Sequence, residues 1–304
     1  MRKRVIIISI SCFIALIGII KLFSMAGKNL PVYPKKIALI NIDGEIDDTT
    51  HILELLNYYN DMRSVKAIVL RVNSPGGGVA ASQEVYRQIM KVKADGMKIV
   101  VSMNDMAASG AYYISSAADK IYANEGTVTG SIGVIANFMN AEKLLGKIGI
   151  DYTTIKSGKY KDTGSFSRAV TEEDKAYLNH MIKDVLDQFV GDVVYGREEP
   201  LARAFNIKEK NPEKKRAFLK ELVLKNIADG RVFTGREAKQ MGLIDEIGNI
   251  DDAIEGAAAM IGLKGRPLVI SERKPTGIEK WLDTKIENLG LKSQNQAILQ
   301  YKIR

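Results

Sequence analysis

The stretch Val65-Lys66-Ala67-Ile68-Val69-Leu70-Arg71-Val72-Asn73-Ser74-Pro75-Gly76-Gly77-Gly78 decides the fold. Residues 65–72 are a short apolar run rich in β-branched side chains, which predicts a buried strand. Ser-Pro-Gly-Gly-Gly then punctuates the chain. From about Ala80 onward, Ala81, Val85, Ile89 and Val92 recur at the spacing of one helix face. Outward from this unit, residues 37–42 and 98–103 are two more buried-strand candidates, and residues 51–62 carry helical periodicity through Ile52, Leu55 and Leu56. Strand, helix, strand, helix, strand is the order of an α/β domain with largely parallel pairing.

Further along, residues 120–123 and 152–155 read as weaker strands between glycine-rich turns. Thr171 and Asp174 resemble a helix start, after which Tyr177, Met181, Val185 and Phe189 recur at four-residue spacing, a pattern that core packing would explain. Residues 197–215 are highly charged and read as a surface insertion. The chain from Lys264 to Arg304, with few apolar clusters, reads as a peripheral tail.

The 304 residues suffice for a full-sized core, and the net charge of +8 is dispersed, with Glu209 and Glu213 among the lysines of residues 208–215. A nucleic-acid groove would need a basic cluster with interleaved aromatics, so no nucleic-acid partner is expected. The single cysteine, Cys12, excludes an intrachain disulfide and a cysteine-based zinc site. Arg2, Lys3 and Arg4 precede an apolar run over residues 5–20 that extends past Lys21 to Leu22 and Phe23. A basic start before a span of about 20 apolar residues predicts a single-pass anchor with its N-terminus in the cytoplasm. A cleaved signal peptide is the competitor, but this run is long for one. Either way the bulk of the chain is placed outside the cytoplasm, at the cell membrane if the anchor stays. The expected organisation is a basic start and anchor at 1–27, a linker at 28–36, a catalytic domain at 37–262 and a tail at 263–304.

The two histidines, His51 and His180, each sit in a helical segment among apolar neighbours, which favours a packing or surface role over catalysis. A Ser-His-Asp triad is therefore poorly supported, and no metal-ligand spacing is present. A serine hydroxyl flanked by small residues, Ala107-Ala108-Ser109-Gly110-Ala111, follows the third strand, where a sharp strand-to-helix turn would set Ser109 at a helix N-terminus. Taken alone, an N-cap serine explains that pattern equally well. The glycine loop at 74–78 lacks the Lys-Ser or Lys-Thr of a phosphate-binding loop, yet its backbone N–H groups suit an oxyanion. A base is still needed. Burial makes lysine a base by lowering its pKa, and Lys156-Ser157-Gly158-Lys159-Tyr160-Lys161-Asp162 offers three lysines among which composition does not choose.

Together these motifs resemble the signal peptide peptidase A family, Ser-Lys membrane proteases related in fold to Clp protease and the crotonases. The resemblance rests on Arg71-Val72-Asn73-Ser74-Pro75-Gly76-Gly77, Ala107 through Tyr113, Thr129-Gly130-Ser131-Ile132-Gly133-Val134, the lysine run ending at Asp162, Ala228-Asp229-Gly230-Arg231-Val232-Phe233-Thr234-Gly235, and Gly242-Leu243-Ile244-Asp245. It implies an α/β Clp protease/crotonase-like fold with repeated β-β-α units. It also implies Ser109 as nucleophile, Lys161 as general base, Ser131 as the group orienting the lysine, and the N–H groups of Gly77 and Gly110 as the oxyanion hole. No cofactor and no metal are implied. The substrates would be signal-peptide remnants and other apolar membrane peptides. The single catalytic unit implies a homo-oligomeric ring, eight subunits being the candidate size, in which neighbours complete the sites. Glu125 departs from the proline common in the family before Gly126, and the charged stretch at 197–215 is longer than the pattern. A crotonase-type acyl-CoA enzyme and a catalytically silent membrane scaffold are the alternatives.

Overall fold

The computed structural model describes residues 34–272; the expected anchor and residues 273–304 lie outside the described residues. Among the described residues no helix is long and apolar enough to cross a membrane. The first three strands are β1 (Lys36–Asp43), β2 (Val65–Ser74) and β3 (Lys98–Ala108). Helices α1 (Thr50–Asp61) and α2 (Val79–Ala94) connect them, and α3 (Gly110–Ser116) follows β3. β1 pairs with β2, and β2 with β3, in parallel register. Parallel neighbours need a crossover, which the helices supply.

Strand periodicity accounts for two cores. Ile68, Leu70 and Val72 of β2 join Ala38, Ile40 and Ile42 of β1 and Ile99, Val101 and Met103 of β3 on one face, packed with Leu55, Leu56, Val85 and Ile89 from α1 and α2. The alternate residues Ile37, Ala67, Val69 and Val100 face the other way, against Ala253, Ala257 and Ala258 of α9 (Ile250–Met260). A sheet covered on both faces explains why these strands read as unbroken apolar runs.

The sheet continues through β4 (Lys120–Ala123), β5 (Val128–Gly130), β6 (Val232–Thr234), β7 (Glu246–Ile247) and β8 (Leu268–Ser271). It is mixed, since β5 and β6 run antiparallel while the other pairings are parallel. Three sequence expectations need correction. Residues 152–155 are not a strand: Tyr152 and Ile155 are exposed and the segment has no ladder partner. The only regular element in this part of the chain is α4 (Glu142–Lys147). β8, inside the stretch read as a tail, pairs with β1 at the sheet edge, so the domain extends beyond residue 262.

The charged stretch at 197–215 is not a simple insertion either. Arg197 is 1% exposed and its guanidinium binds Asp245 at 2.8 Å, with Gly242 O also in reach. Leu201 and Ala202 of α6 (Glu198–Ala204) are buried. Counting charges hid this because a paired arginine can enter a core that an unpaired one cannot.

Helix α5 (Glu172–Gly196) starts at Thr171 with a reciprocal capping box to Asp174, as the spacing predicts. Its apolar row splits: Phe189 is buried, whereas Tyr177 and Met181 near its start are exposed, so core packing accounts for the second half alone. α7 (Pro212–Asn226) and α8 (Gly235–Gln240) complete the described helices.

Candidate active site

The parallel strands β2, β3 and β5 end side by side, and their carboxyl ends carry the three glycine-rich motifs. Such an edge is where ligands bind in open α/β sheets. Ser74 at the end of β2 pairs with Ala107 of β3, and Ala108 pairs with Gly130 of β5. The next residue, Ser109, donates its backbone N–H to Gly130 O at 2.8 Å.

Ser109 occupies the N-cap of α3 but does not cap it: its side chain makes no hydrogen bond to the helix. Its backbone stands at φ 54°, ψ −122°, a conformation that non-glycine residues rarely adopt. Such strain costs about 1–3 kcal/mol and persists where the surroundings impose it. Here Gly130 O grips the N–H, and Ser109 O accepts from Tyr113 N at 2.9 Å. Strain together with a hydroxyl left out of capping weighs against the N-cap reading.

The Ser-Pro-Gly-Gly loop is pressed against this turn. Gly76, at φ 101°, lies so close that a Cβ there would sit 2.6 Å from Gly110 N and 2.9 Å from Ser109 Cβ. A Cβ on Gly110 would meet Gly77 N at 3.2 Å. Ser74 Oγ accepts from Gly76 N at 3.1 Å, and Ile46 brackets the loop, donating to Gly76 O at 2.9 Å and accepting from Gly78 N at 2.8 Å. The N–H groups of Gly77 and Gly110 donate to no described group. They are two adjacent donors beside a serine hydroxyl, the elements an oxyanion hole requires.

These residues line a cavity of about 30 Å³ whose other walls include Val79, Tyr113, Val134, Val185 and Phe189. Tyr113 is fixed by tilted and edge-to-face contacts with Tyr86 and Phe189, ring centroids 5.0 and 4.8 Å away, and by a hydrogen bond to Asp192. Burial, reinforced by Asp192, raises its phenol pKa, so it stays a neutral donor. Ser82 and Gln83 also line the cavity. Sequence reading placed Tyr113 and Val134 in the short motifs and Val185 and Phe189 on a helix row, but passed over Val79, Ser82 and Gln83, whose spacing is that of ordinary helix packing.

Ser131 also has positive φ, 50°, and is held by Arg231 O, which accepts its N–H at 2.9 Å. Its hydroxyl donates to Gly230 O at 3.3 Å. The Ala228–Gly235 motif thus serves as the cradle of the Thr-Gly-Ser-Ile-Gly turn. The Gly242–Asp245 motif is a fold clamp: Leu243 O accepts from Tyr112 Oη at 3.0 Å, and Asp245 accepts from Ile121 N and holds Arg197.

Lys161 is exposed and is not among the residues lining the cavity at Ser109. The three lysines nevertheless separate. Lys156 is paired with Asp162 at 2.6 Å, and Lys159 with Glu173, whose hydrogen bond raises the Lys159 pKa and holds its amine protonated. Among the described residues, the Lys161 amine has no ion-pair partner. The histidines stand apart: His180 is exposed, and His51 binds Glu272 at 2.7 Å on the surface. Among the described residues, no cluster of three or more His, Cys, Asp or Glu could hold a metal ion.

Comparison with known proteins fits this geometry. The model of peptidase family S49 matches residues 91–212 and 213–264, and that of Clp protease matches residues 34–125. A protein of Synechocystis sp. named for a protease, slr0021, is 36% identical over 270 residues, covering 84% of this chain and 88% of its own. An Enterococcus faecium protein named for a signal peptide peptidase, SppA, is 33% identical over 274 residues, covering 85% and 74%. Protease 4 of Haemophilus influenzae is 34% identical over 237 residues, covering 75% of this chain and 35% of that longer protein. With its Clp protease-like α/β fold and a strained serine at the strand-to-helix turn, the chain belongs to the serine proteases of peptidase family S49.

Proposed function

We propose that this protein is a membrane-anchored endopeptidase that hydrolyses remnant signal peptides and other apolar membrane peptides with a Ser109–Lys161 dyad. The observation that carries the reading is the uncapped, strained Ser109 beside the free N–H groups of Gly77 and Gly110. In the proposed cycle a neutral Lys161 amine takes the Ser109 proton as Oγ attacks the scissile carbonyl. The two N–H groups receive the developing oxyanion. The resulting ammonium returns the proton to the leaving amine, and the acyl-enzyme is opened by a water that the same amine deprotonates. Ser131 orients the amine.

Lys161 is absent from the walls of the Ser109 cavity, and its chain segment exposes Ile135, Met139, Ile148 and Ile155. Both facts favour a homo-oligomeric ring in which a neighbouring copy supplies the lysine. A basic, apolar N-terminus would tether the site beside its substrates, raising their effective concentration.

The test is hydrolysis of apolar peptides by the full-length protein in detergent. Ser109→Ala and Lys161→Ala should each lower kcat by at least about 10³-fold with unchanged melting temperature. Retained hydrolysis in Lys161→Ala would refute the dyad.

A further inference from the structure

Ser82 holds a hydroxyl that the fold buries and leaves without a partner. It lies in the first turn of α2, is 3% exposed, and its Oγ makes no hydrogen bond to any described group. A helical serine can fold its hydroxyl back onto the carbonyl four residues earlier. Here Gly78 O is taken by the Ser82 backbone N–H at 2.9 Å, and Oγ does not join it. Native interiors seldom leave such a group unpaired.

The hydroxyl is next to the reacting atoms. Ser82 Oγ is 2.3 Å from where a Cβ on Gly110 would stand, and it lines the same cavity as Ser109, Gly77 and Gly110. Apart from Ser109, the other polar side chains of that wall are engaged: Gln83 donates to Gln188, and Tyr113 to Asp192. Were Ser109 to attack a carbonyl whose oxygen points toward Gly77 and Gly110, the side chain of that residue would enter the cavity these three residues line. About 30 Å³ admits a small side chain or one to two water molecules.

We propose that Ser82 is a specificity-determining residue that hydrogen-bonds the hydroxyl of a serine placed immediately before the scissile bond, selecting it over an apolar side chain of equal size. The proposal rests on the protease reading of Ser109. An apolar occupant leaves Ser82 buried and unpaired, whereas a hydroxylated one satisfies both groups, and sites built this way discriminate by the missing bond.

The experiment uses full-length protein in detergent and peptides that differ only at that position, carrying serine, 2-aminobutyrate, which is the same size without the hydroxyl, or alanine. The parent should cleave the serine peptide with kcat/KM about tenfold above the aminobutyrate peptide. In Ser82→Ala the ratio should fall to about one while the aminobutyrate peptide is still cleaved. Ser82→Cys, nearly isosteric with a weak donor, should give an intermediate ratio and answers the question if the alanine variant melts early. A ratio unchanged in both variants, or an equal loss on all peptides, would overturn the proposal, the latter pointing to a role at the oxyanion.

Peptide binding to Ser109→Ala protein, followed by fluorescence anisotropy, separates this proposal from the protease reading. Preference for the serine peptide that vanishes in Ser82→Ala/Ser109→Ala, with no hydrolysis by the parent, would support the Ser82 contact and sink the protease. Hydrolysis by the parent with no preference in either assay would sink the Ser82 contact alone.

Discussion

At the residue scale, Gly76 shows why the proposed nucleophile needs a bare backbone next to it. The loop and the Ser109 turn meet backbone to backbone, and the three atoms that a Cβ on Gly76 would strike include Gly110 N at 2.6 Å and Ala108 O at 2.8 Å. Neither can swing aside as a long side chain would. Gly76→Ala must therefore push the loop off the turn, and φ 101° adds strain for any side chain. A displacement near 1 Å at a catalytic constellation costs about 10²-fold. We expect kcat/KM to fall by about that factor or more, while the far-ultraviolet circular dichroism stays that of the parent. Activity within threefold of the parent would mean that the loop does not position the reaction.

Residue-level reading of the sequence had unequal reach here. The small residues around Ser109 and the glycine loop were legible because backbone geometry demands those types. The register that joins them, Ser74 opposite Ala107 and Ala108 opposite Gly130, depends on which strands pair and is not local. Ser82 was invisible for the same reason: in sequence it is one polar residue in a helix, and only the fold turns it toward Gly110.

At the scale of elements, the segment bearing Lys161 is held by a network of charges besides the stacking of Tyr160 on Tyr177. Arg168 bridges Asp162 at 2.9 Å and Asp174 at 2.5 Å, and Lys156 adds to Asp162. Asp174 also closes the capping box of α5, so the ion network joins the lysine turn to the helix start. Arg168, then Lys156, hold the Asp162 carboxyl at about 2, below its ordinary 3.8. Arg168 and the Thr171 backbone hold Asp174 well below that value as well. For carboxyls depressed in this way the stabilisation is complete above the ordinary value and is lost as pH falls toward the folded one. Amide exchange across residues 156–170 should therefore stay slow down to about pH 4 and quicken between pH 4 and 2, once corrected for intrinsic rates. Arg168→Ala should show the fast exchange at neutral pH. Equal protection in that variant would show that packing, not charge, holds the turn.

Helices and strands with a buried face were readable from periodicity, as for β1, β2, β3 and α2. Residues 152–155 misled because β-branched residues between glycine turns do not make a strand without a ladder partner, and β8 was missed because four residues after a glycine turn carry little pattern. The start of α5 kept its helical period while exposing Tyr177 and Met181, which periodicity alone reads as core.

At the scale of the whole molecule, the two halves of the proposed dyad lie on parts of the chain with opposite characters. Ser109 is at the end of a buried strand, under a closed loop. Lys161 lies on an exposed segment that follows the sheet's last central strand and displays large apolar side chains: Ile135 is 83% and Ile155 96% exposed. Exposed apolar surface on this scale marks an interaction site. If a neighbouring copy seats on it head to tail, each interface joins the serine of one subunit to the lysine of the next, and repetition closes a ring. That arrangement has a consequence which an intramolecular dyad lacks. Ser109→Ala and Lys161→Ala proteins, each inactive alone, would rebuild sites when co-assembled, because a Lys161→Ala subunit supplies the serine and a Ser109→Ala subunit the lysine. Random assembly from equal amounts should restore roughly a quarter of parental activity, since each site needs the right variant at both of two positions. Ile135→Ser/Met139→Ser should lower both the mass of the assembly, read by light scattering, and the activity, without changing the fold. Complementation that stays at background while the two variants co-purify would place the serine and its lysine within one subunit.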